Sequence, residues 1–543
     1  MHKFKVIGAI CIVFLLFSCQ KQINFDKIKP ITYNGDWAAP LAYGNFSIED
    51  ILEGDSSSYF FYGSDGLIHL TYTGELVSLN LDDLIPNNKT TYSVSINLTS
   101  SESAQLAGTN SLAVYFNQVV TLDDLNTNGV AFEMDSVEIK SGIFDFSFNS
   151  RIDHKITLEL DIPALKLNGI PFNQVINIDE NSNNNIQIDV SGYNMDLTKG
   201  GTTHSTFDAA IKATIIKGPS ANYAGGIDVD LEIKNGYKIK TAYGDALRQD
   251  FLALNNTNLD IELFDFDEIG KTIFMEDATI KFLWKNSFGV PIEVVLDNVT
   301  GLNKKLENFT LDVTNVSSSE MIITAPSVVG QETSGEIVIN NSKTQTGSGR
   351  LSLKDFINEN INKLNVDAQA LSNPVGVPRP PSKNFINENS ALKIDIEASI
   401  PLHGRALGYA FRDTFDMDIG AESDEIEKAS IKLYSENGFP IDLLGSFAFL
   451  DENDKVLFVI DNSPEFIFKA AEVDANGKSI KASVNDLEIV IEDADLSKLG
   501  LVKKISIIAS FSTSSQGTKP VKFFKDDRLS VKIGARVKVK TEI

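Results

Sequence analysis

The sequence predicts an all-β protein made of elongated, tandem antiparallel β-sandwich-like units with a few short connector helices. Two observations predict this class: apolar and polar residues alternate in many segments, and clusters of Asp, Asn, Gly and Ser separate those segments. Helical periodicity is scarce and short. Strands with one apolar face are half-buried, which is typical of antiparallel sheets and not of the all-apolar strands of parallel sheets.

The first segment predicts a secretory signal peptide over residues 1–18. It begins with Lys3 and Lys5 and continues with an apolar run over 6–17. A run of this length is too short to cross a hydrocarbon core of about 30 Å, and its flanks are those of a signal peptide.

The signal ends in Leu16-Phe17-Ser18-Cys19, which resembles a bacterial lipobox. The resemblance implies that Cys19 starts the mature chain and carries palmitate-type acyl chains, which anchor a protein without a transmembrane helix. An ordinary secretory signal with an incidental Cys is the alternative. Polar residues without a clear period follow, so we expect 19–36 to be a lipidated tether.

Period-two alternation continues through the rest of the chain, at 91–98, 156–162, 227–233, 392–398 and 529–535. Turn-forming loops predict two hairpins, one between strands 174–178 and 186–190 and one between strands 446–450 and 456–460. Apolar residues three or four apart predict short helices at 48–53 and 353–364.

An internal repeat predicts the domain organisation. A strand with an Ile-Lys pair recurs at 137–140, 278–281 and 429–432, and a short helix-like piece precedes a later strand at 195–198, 353–356 and 496–499. Generic sandwich patterning that mimics a repeat is the alternative. The predicted units are 37–135 (an N-terminal half unit), 136–275 (unit 1), 276–427 (unit 2) and 428–543 (unit 3). The proline-rich segment 371–383 is either a linker or, as we expect, a crossover strap between sheets.

The composition of the chain excludes several classes of partner and site. The chain has 543 residues and a formal charge of -26, which makes nucleic acid an unlikely partner because phosphate neutralisation needs clustered Lys and Arg. Its two Cys leave no room for a disulfide framework or a thiolate metal site.

A search for catalytic and metal-binding motifs returns none. After signal removal the His residues are His69, His154, His204 and His403, with no two close in sequence. HExxH, GxSxG and P-loop motifs are absent from the sequence. We therefore predict no catalytic residues, no metal, no cofactor and no enzymatic activity, and we expect His154 to lie at a surface or strand edge.

Two acidic loops, at 451–454 and 179–183, contain oxygen ligands suited to calcium. Neither has the glycine and the closing glutamate of an EF-hand, and turn chemistry explains both. Asp135-Ser136-Val137 resembles a three-residue O-glycosylation signal, for which the alternative interpretation is the start of an ordinary strand.

Aromatic residues are the candidate ligand contacts. Tyr59, Phe60, Phe61 and Tyr62 form one run, and Phe447 and Phe449 form a second group. Such side chains line grooves for sugars or lipids, but they also fill the cores of sandwiches. The sequence leaves both interpretations open.

Several segments resemble uncharacterised outer-membrane lipoproteins of Bacteroidota, a family without a known activity. They are Trp37 with the following run to Leu41, the predicted helix at Ile48, and the segments 384–385, 390–393 and 401–404. The resemblance implies a lipid-anchored protein of the outer membrane. Surface-exported members usually have acidic residues after the Cys, whereas residues 20–22 here are Gln, Lys and Gln, so a periplasmic and a surface location both stay open.

These features together predict a cell-envelope lipoprotein with a non-catalytic binding or scaffolding role. Its partners would be the membrane, through the N-terminal lipid, and envelope proteins, glycan or lipid. One alternative is a carrier for an apolar ligand, which requires an apolar tunnel between sheets. The other is a glycan- or peptide-acting hydrolase, which requires a cleft with paired carboxylates about 5 to 10 Å apart.

Overall fold

The computed structural model describes residues 34–47, 60–81, 90–121, 132–201, 203–260, 273–378, 383–416 and 426–540. Antiparallel strands dominate these segments, which confirms the all-β class. Their α-helices are short: α1 (Ser100–Gly108), α2 (Leu353–Asn358) and α3 (Asp493–Leu496). None of the helices in these segments has the length and apolarity needed to cross a bilayer.

The strands follow one another through the described segments. The first group is β1 (Asn34–Ser47), β2 (Phe60–Tyr62), β3 (Ile68–Asn80), β4 (Thr90–Asn97), β5 (Ser111–Thr121), β6 (Glu133–Ser150), β7 (Lys155–Leu167), β8 (Ile170–Ile178), β9 (Asn183–Asp189), β10 (Asn194–Asp196) and β11 (Thr206–Ile216). The second group is β12 (Gly226–Asp245), β13 (Asp250–Asp260), β14 (Ile273–Met275), β15 (Thr279–Asn286), β16 (Ile292–Asn303), β17 (Asn308–Thr310), β18 (Ile322–Ile323), β19 (Thr333–Asn340), β20 (Ile361–Ser372), β21 (Asn384–Asn387) and β22 (Ala391–Pro401). The third group is β23 (His403–Ala406), β24 (Tyr409–Asp416), β25 (Ile426–Asn437), β26 (Ile441–Leu450), β27 (Val456–Phe468), β28 (Glu472–Val473), β29 (Ser479–Lys481), β30 (Ser483–Ile491), β31 (Lys504–Thr513), β32 (Val521–Lys522) and β33 (Arg528–Lys540).

Strand pairing repeats in three groups, which we call sandwiches 1 to 3. Sandwich 1 is one continuous ten-stranded sheet, in which β10 joins the row β4-β12-β6-β9 to the row β5-β11-β7-β8. Sandwich 2 has β3-β22-β15-β19 and β13-β20-β16-β17. Sandwich 3 has β1-β33-β25-β30 and β24-β31-β26-β27. The three repeated Ile-Lys strands are β6, β15 and β25, which occupy equivalent places in the three sandwiches.

In each sandwich, one strand from the N-terminal part of the chain pairs with a later strand. These strands are used in reverse order: β1 pairs with β33 in sandwich 3, β3 pairs with β22 in sandwich 2, and β4 pairs with β12 in sandwich 1. The strand β1 begins at Asn34, within the segment predicted to be the tether. The unit boundaries stay a prediction, but the hydrogen bonding shows that paired strands cross them.

The cores lie between the two rows of strands of each sandwich. The strand β7 buries Ile156, Leu158 and Leu160 and turns the intervening residues outward, as the predicted alternation requires. One continuous cluster of buried side chains joins sandwiches 1 and 2. Two further clusters fill sandwich 3, where the rings of Phe449 and Phe458 stack with centroids 4.4 Å apart.

A buried asparagine closes the corner after β15 and after β25. Asn286 donates to the carbonyls of Val290 (3.1 Å) and Thr324 (3.0 Å) and accepts from the backbone N–H of Phe288 (2.9 Å). Asn437 makes the same set of bonds, donating to Ile441 and Lys469 (both 3.0 Å) and accepting from Phe439 (2.9 Å). Shared chemistry at equivalent corners supports the repeat.

The structure confirms one predicted hairpin and corrects the other. The strands β26 and β27 pair with each other around the loop at 451–455, as predicted. In contrast, β8 pairs with β7, and β9 pairs with β6 in the other row of the same sheet. The loop between β8 and β9 is therefore a crossing between the two rows and not a hairpin.

The predicted short helices had mixed outcomes. The piece at 195–198 is wrong: Met195 lies in strand β10, buried between β6 and β7. The helix predicted over 353–364 is shorter than expected: α2 ends at Asn358, and strand β20 begins at Ile361. The piece at 496–499 overlaps the end of α3, and the helix at 48–53 lies outside the described residues.

The segment 371–383 passes from β20 in sandwich 2 to β21, which pairs with β12 of sandwich 1. This path confirms the predicted crossover between sheets. Asn373 and Asn384 bond to each other through their side-chain amides, at 2.8 and 3.1 Å, and both are nearly fully buried. The amide pair holds the described ends of the strap together.

Candidate functional site

The candidate site is a small patch at the β2 end of the sheet β19-β15-β22-β3-β2, formed by the hairpin of β2 and β3 and by the end of β22. Strand register places Phe61 opposite His69, and His69 opposite Pro401. Side chains directly opposite each other in a sheet share one face. We call Phe61, His69, Ser399 and Pro401 the Phe61 patch.

The rings of Phe61 and His69 contact each other in this patch. Their centroids are 5.3 Å apart, with the planes tilted by 57°, and Phe61 is 51% exposed. The Nδ1 atom of His69 lies 3.1 Å from the hydroxyl oxygen of Ser399. The imidazole is therefore held between an exposed aromatic ring and a hydroxyl group.

Burial lowers the pKa of His69 from its usual value of 6.5, because the charged imidazolium loses solvation; the carboxylate of Asp65 acts weakly in the opposite direction. The neutral ring is thus favoured at neutral pH. A neutral imidazole has one N–H donor and one acceptor nitrogen, which suits hydrogen bonding to hydroxyl groups.

The turn between β2 and β3 brings the backbone close to the imidazole. The N–H of Gly63 donates to the carbonyl of Leu67 at 2.8 Å, and Oδ1 of Asp65 accepts from the N–H of Leu67 at 3.0 Å. A Cβ atom on Gly63 would lie 2.7 Å from Asp65 Oδ1 and 3.2 Å from His69 Nε2. A larger residue at position 63 would therefore have to displace the side chains of Asp65 and His69.

The predicted ligand-contacting residues fall in different environments. Phe60 is partly buried against the core of sandwich 3, whereas Phe61 and Tyr62 are exposed, Tyr62 by 38%. Tyr59 and the predicted lipidation site Cys19 lie outside the described residues. Phe449 is a core residue, buried to 1% exposure, in agreement with the core interpretation of that second aromatic group.

His69 and Ser399 were not identified as site residues from the sequence. They are 330 positions apart, and only the pairing of β3 with β22 brings them together. The aromatic run that contains Phe61 was the signal available in the sequence.

The prediction for His154 was wrong, because this residue is fully buried. Its Nδ1 accepts from the backbone N–H of Gly218 at 3.1 Å, and its ring lies against Tyr223 with centroids 5.2 Å apart. Loops at the end of sandwich 1 cover it, which a local strand pattern does not reveal.

Two other His residues form close pairs with carboxylates. Nδ1 of His204 lies 2.5 Å from Oδ1 of Asp135, which is buried and also pairs with Lys383. Nε2 of the same imidazole lies 3.9 Å from Glu133, so it faces a second carboxylate and not a hydroxyl nucleophile. His403 pairs with Asp277 at 2.6 Å.

The acidic loops behave as turns in the structure. Oδ1 of Asp451 accepts from the backbone N–H groups of Asn453 (2.9 Å) and Lys455 (3.0 Å), as turn chemistry requires. Among the described residues, no group of three His, Cys, Asp or Glu side chains is placed to hold a metal ion.

No protein-family model and no curated protein matches the chain. Among solved structures, the chain is similar to a protein of Parabacteroides distasonis, a member of the Bacteroidota, that is provisionally described as secreted. The identity is 10%, the alignment covers 93% of this chain and 99% of that chain, and the TM-score is 0.30. A second similarity is to the VP2 subviral particle of infectious bursal disease virus, with 8% identity, coverage of 75% and 73%, and a TM-score of 0.13.

Proposed function

We propose that the chain is a lipid-anchored protein of the cell envelope that acts by non-catalytic binding, and that the Phe61 patch is its binding surface. The leader at 1–18 and the lipobox-like residues ending at Cys19 support export and anchoring. The acidic balance of the chain supports a solvated protein that does not bind nucleic acid.

The main support for a binding role is the half-exposed ring of Phe61, which contacts the neutral imidazole of His69. Ring and imidazole are both fixed, since Phe61 lies in a paired strand and His69 contacts Ser399. An apolar ring beside donors and acceptors complements a sugar ring, which has an apolar face and hydroxyl groups at its rim. The proposed ligand class is therefore an envelope glycan.

Binding is tested with the mature chain and a panel of immobilised envelope oligosaccharides. We expect Phe61→Ala and His69→Ala each to weaken glycan binding by about tenfold, the effect of losing about 1.4 kcal/mol. The matched control is Tyr115→Ala, which removes a tyrosine that is 70% exposed on sandwich 1. Equal affinities of all four proteins for every glycan would contradict the proposal.

Anchoring is tested separately by labelling cells with a palmitate analogue. We expect label on the wild-type chain and none on the Cys19→Ala variant. Label on both proteins, or on neither, would remove the lipid anchor from the proposal without affecting the glycan experiment.

A filled core supports a binding role over the carrier alternative, which requires an apolar tunnel. Stacked rings such as those of Phe449 and Phe458 are typical of such a core.

A further inference from the structure

The N-terminal part of the chain is bound into sandwich 3. The strand β1 pairs with β33 from Asn34, opposite Lys540, to Ser47, opposite Arg528. Residues 19–33 are all that separates the proposed lipid on Cys19 from this sheet. A segment of that length spans at most about 50 Å when fully extended. Sandwich 3 is thus the part of the molecule tethered closest to the lipid.

The outward side of the sheet β1-β33-β25-β30 carries an unusual set of side chains, and we call this side the β33 face. Register places Tyr43, Lys532 and Tyr434 in one row across three strands. Tyr43 is 84% exposed, and the ammonium group of Lys532 lies 5.7 Å from the centroid of the Tyr434 ring. Exposed tyrosines beside lysines are typical of surfaces at lipid headgroup level.

The β33 face is less acidic than the chain as a whole. Among its described residues, β33 turns Lys532, Arg536 and Lys538 outward and no acidic side chain. Acidic residues of neighbouring strands pair with two of them: Asp36 with Arg536 at 2.9 Å, and Glu427 with Lys538 at 2.8 Å.

The strand β25 adds Lys428 and Lys432 to the face, while Glu436, Asp486 and Glu488 lie around them in β25 and β30. The face is therefore close to neutral overall, with its basic groups concentrated on the central strands. Because the whole chain carries -26, an anionic surface repels this face less than a surface of the chain's average charge.

We propose that the β33 face docks on the lipid surface to which the chain is anchored, with Tyr43 at headgroup level and Lys532 directed at lipid phosphate. This inference rests on the proposed lipid anchor for its biological setting. Long basic side chains reach phosphate while their stems lie on apolar neighbours. The docking orients the three sandwiches relative to the membrane, since sandwich 3 lies against it.

The test uses the mature chain with a hexahistidine segment in place of Cys19, held on nickel-chelating lipid. The vesicles contain phosphatidylethanolamine and phosphatidylglycerol. This design removes any dependence on acylation in the cell, so a failed palmitate experiment and a failed docking experiment are distinguishable. An environment-sensitive fluorophore is attached at Tyr43→Cys and, as the matched control, at Tyr115→Cys on sandwich 1.

We expect vesicles to raise the fluorescence at position 43 at least about twofold and to allow its quenching by nitroxide-labelled lipid, with no change at position 115. Adding Lys532→Glu to the labelled Tyr43→Cys protein should abolish most of this change. Equal responses at positions 43 and 115 would overturn the proposal. An undiminished response in the Lys532→Glu protein would also overturn the proposal, because docking of the β33 face would then not depend on the basic side chain of Lys532.

Discussion

Individual polar residues hold the corners of this β protein. Asn286 and Asn437 are both almost completely buried, and each satisfies one N–H and two carbonyl groups where a strand ends. Buried backbone groups without partners are costly, so such a side chain stabilises the fold through the groups that it satisfies.

The first prediction concerns this corner. Asn437→Ala leaves the N–H of Phe439 and the carbonyls of Ile441 and Lys469 without their partner, so we expect the free energy of unfolding to fall by about 2–4 kcal/mol. Urea unfolding measures it. Asn173→Ala, at an exposed position of β8, is the control and should change it by less than about 0.5 kcal/mol. Equal effects of the two substitutions would show that the buried network is unimportant.

A second residue makes stability depend on pH. Burial raises the pKa of Asp527 from 3.8 to about 6, and the nearby Asp526 adds to this, while Lys478, Arg528 and the N–H of Phe524 oppose it. The folded state therefore binds this proton more tightly than the unfolded state. Asp527 contributes stability as the pH falls from 7 through 6 towards 4, and the contribution is lost as the pH rises through 6.

Asp527→Asn removes the ionised form that burial disfavours. We expect this variant to be more stable than wild type at pH 7 by roughly 1 kcal/mol, allowing for partial solvent exposure, and to gain less than wild type between pH 7 and 5. Urea midpoints at both pH values measure this. Asp161→Asn on β7, which removes a carboxylate elsewhere in the molecule, is the control. A variant that tracks wild type at both pH values would contradict the assignment.

At the scale of elements, local sequence patterns predicted where strands form better than they predicted which strands pair with each other. The alternation correctly marks β7, β12, β22 and β33. The same pattern with an Asp- and Asn-rich turn looks alike in the hairpin of β26 and β27 and in the crossing of β8 to β9. Turn-forming residues bend the chain in both cases. Burial of the apolar faces decides whether the second strand pairs with the first, as β27 does, or with another strand, as β9 does.

The strand β1 provides a prediction at this scale. Removing residues up to Ser47 would leave β33 without its edge partner, so we expect backbone amides of β33 to lose at least about tenfold of their hydrogen-exchange protection. Amides of β7 and β11 in sandwich 1 should keep theirs. A truncation that ends before Asn34 is the control and should leave β33 protected. Unchanged protection in the longer truncation would show that β1 does not stabilise sandwich 3.

At the scale of the whole molecule, the three sandwiches are nested in the chain. The strands β1, β3 and β4 are synthesised first and pair within sandwiches 3, 2 and 1. Pairing over such sequence separations has a high entropic cost of loop closure, so the topology favours slow folding that is completed only when β33 is available. The same nesting places β1 and β33 in one sheet.

The sequence by itself determined the all-β class and most strands, because side-chain alternation and turn chemistry are local properties. Tertiary structure alone decided the partners: His69 beside Ser399, Asp135 between His204 and Lys383, and Tyr43 in a row with Lys532. The physical reason is that strands of similar pattern pair equally well locally, and the choice among them depends on how whole sheets bury their apolar faces against each other.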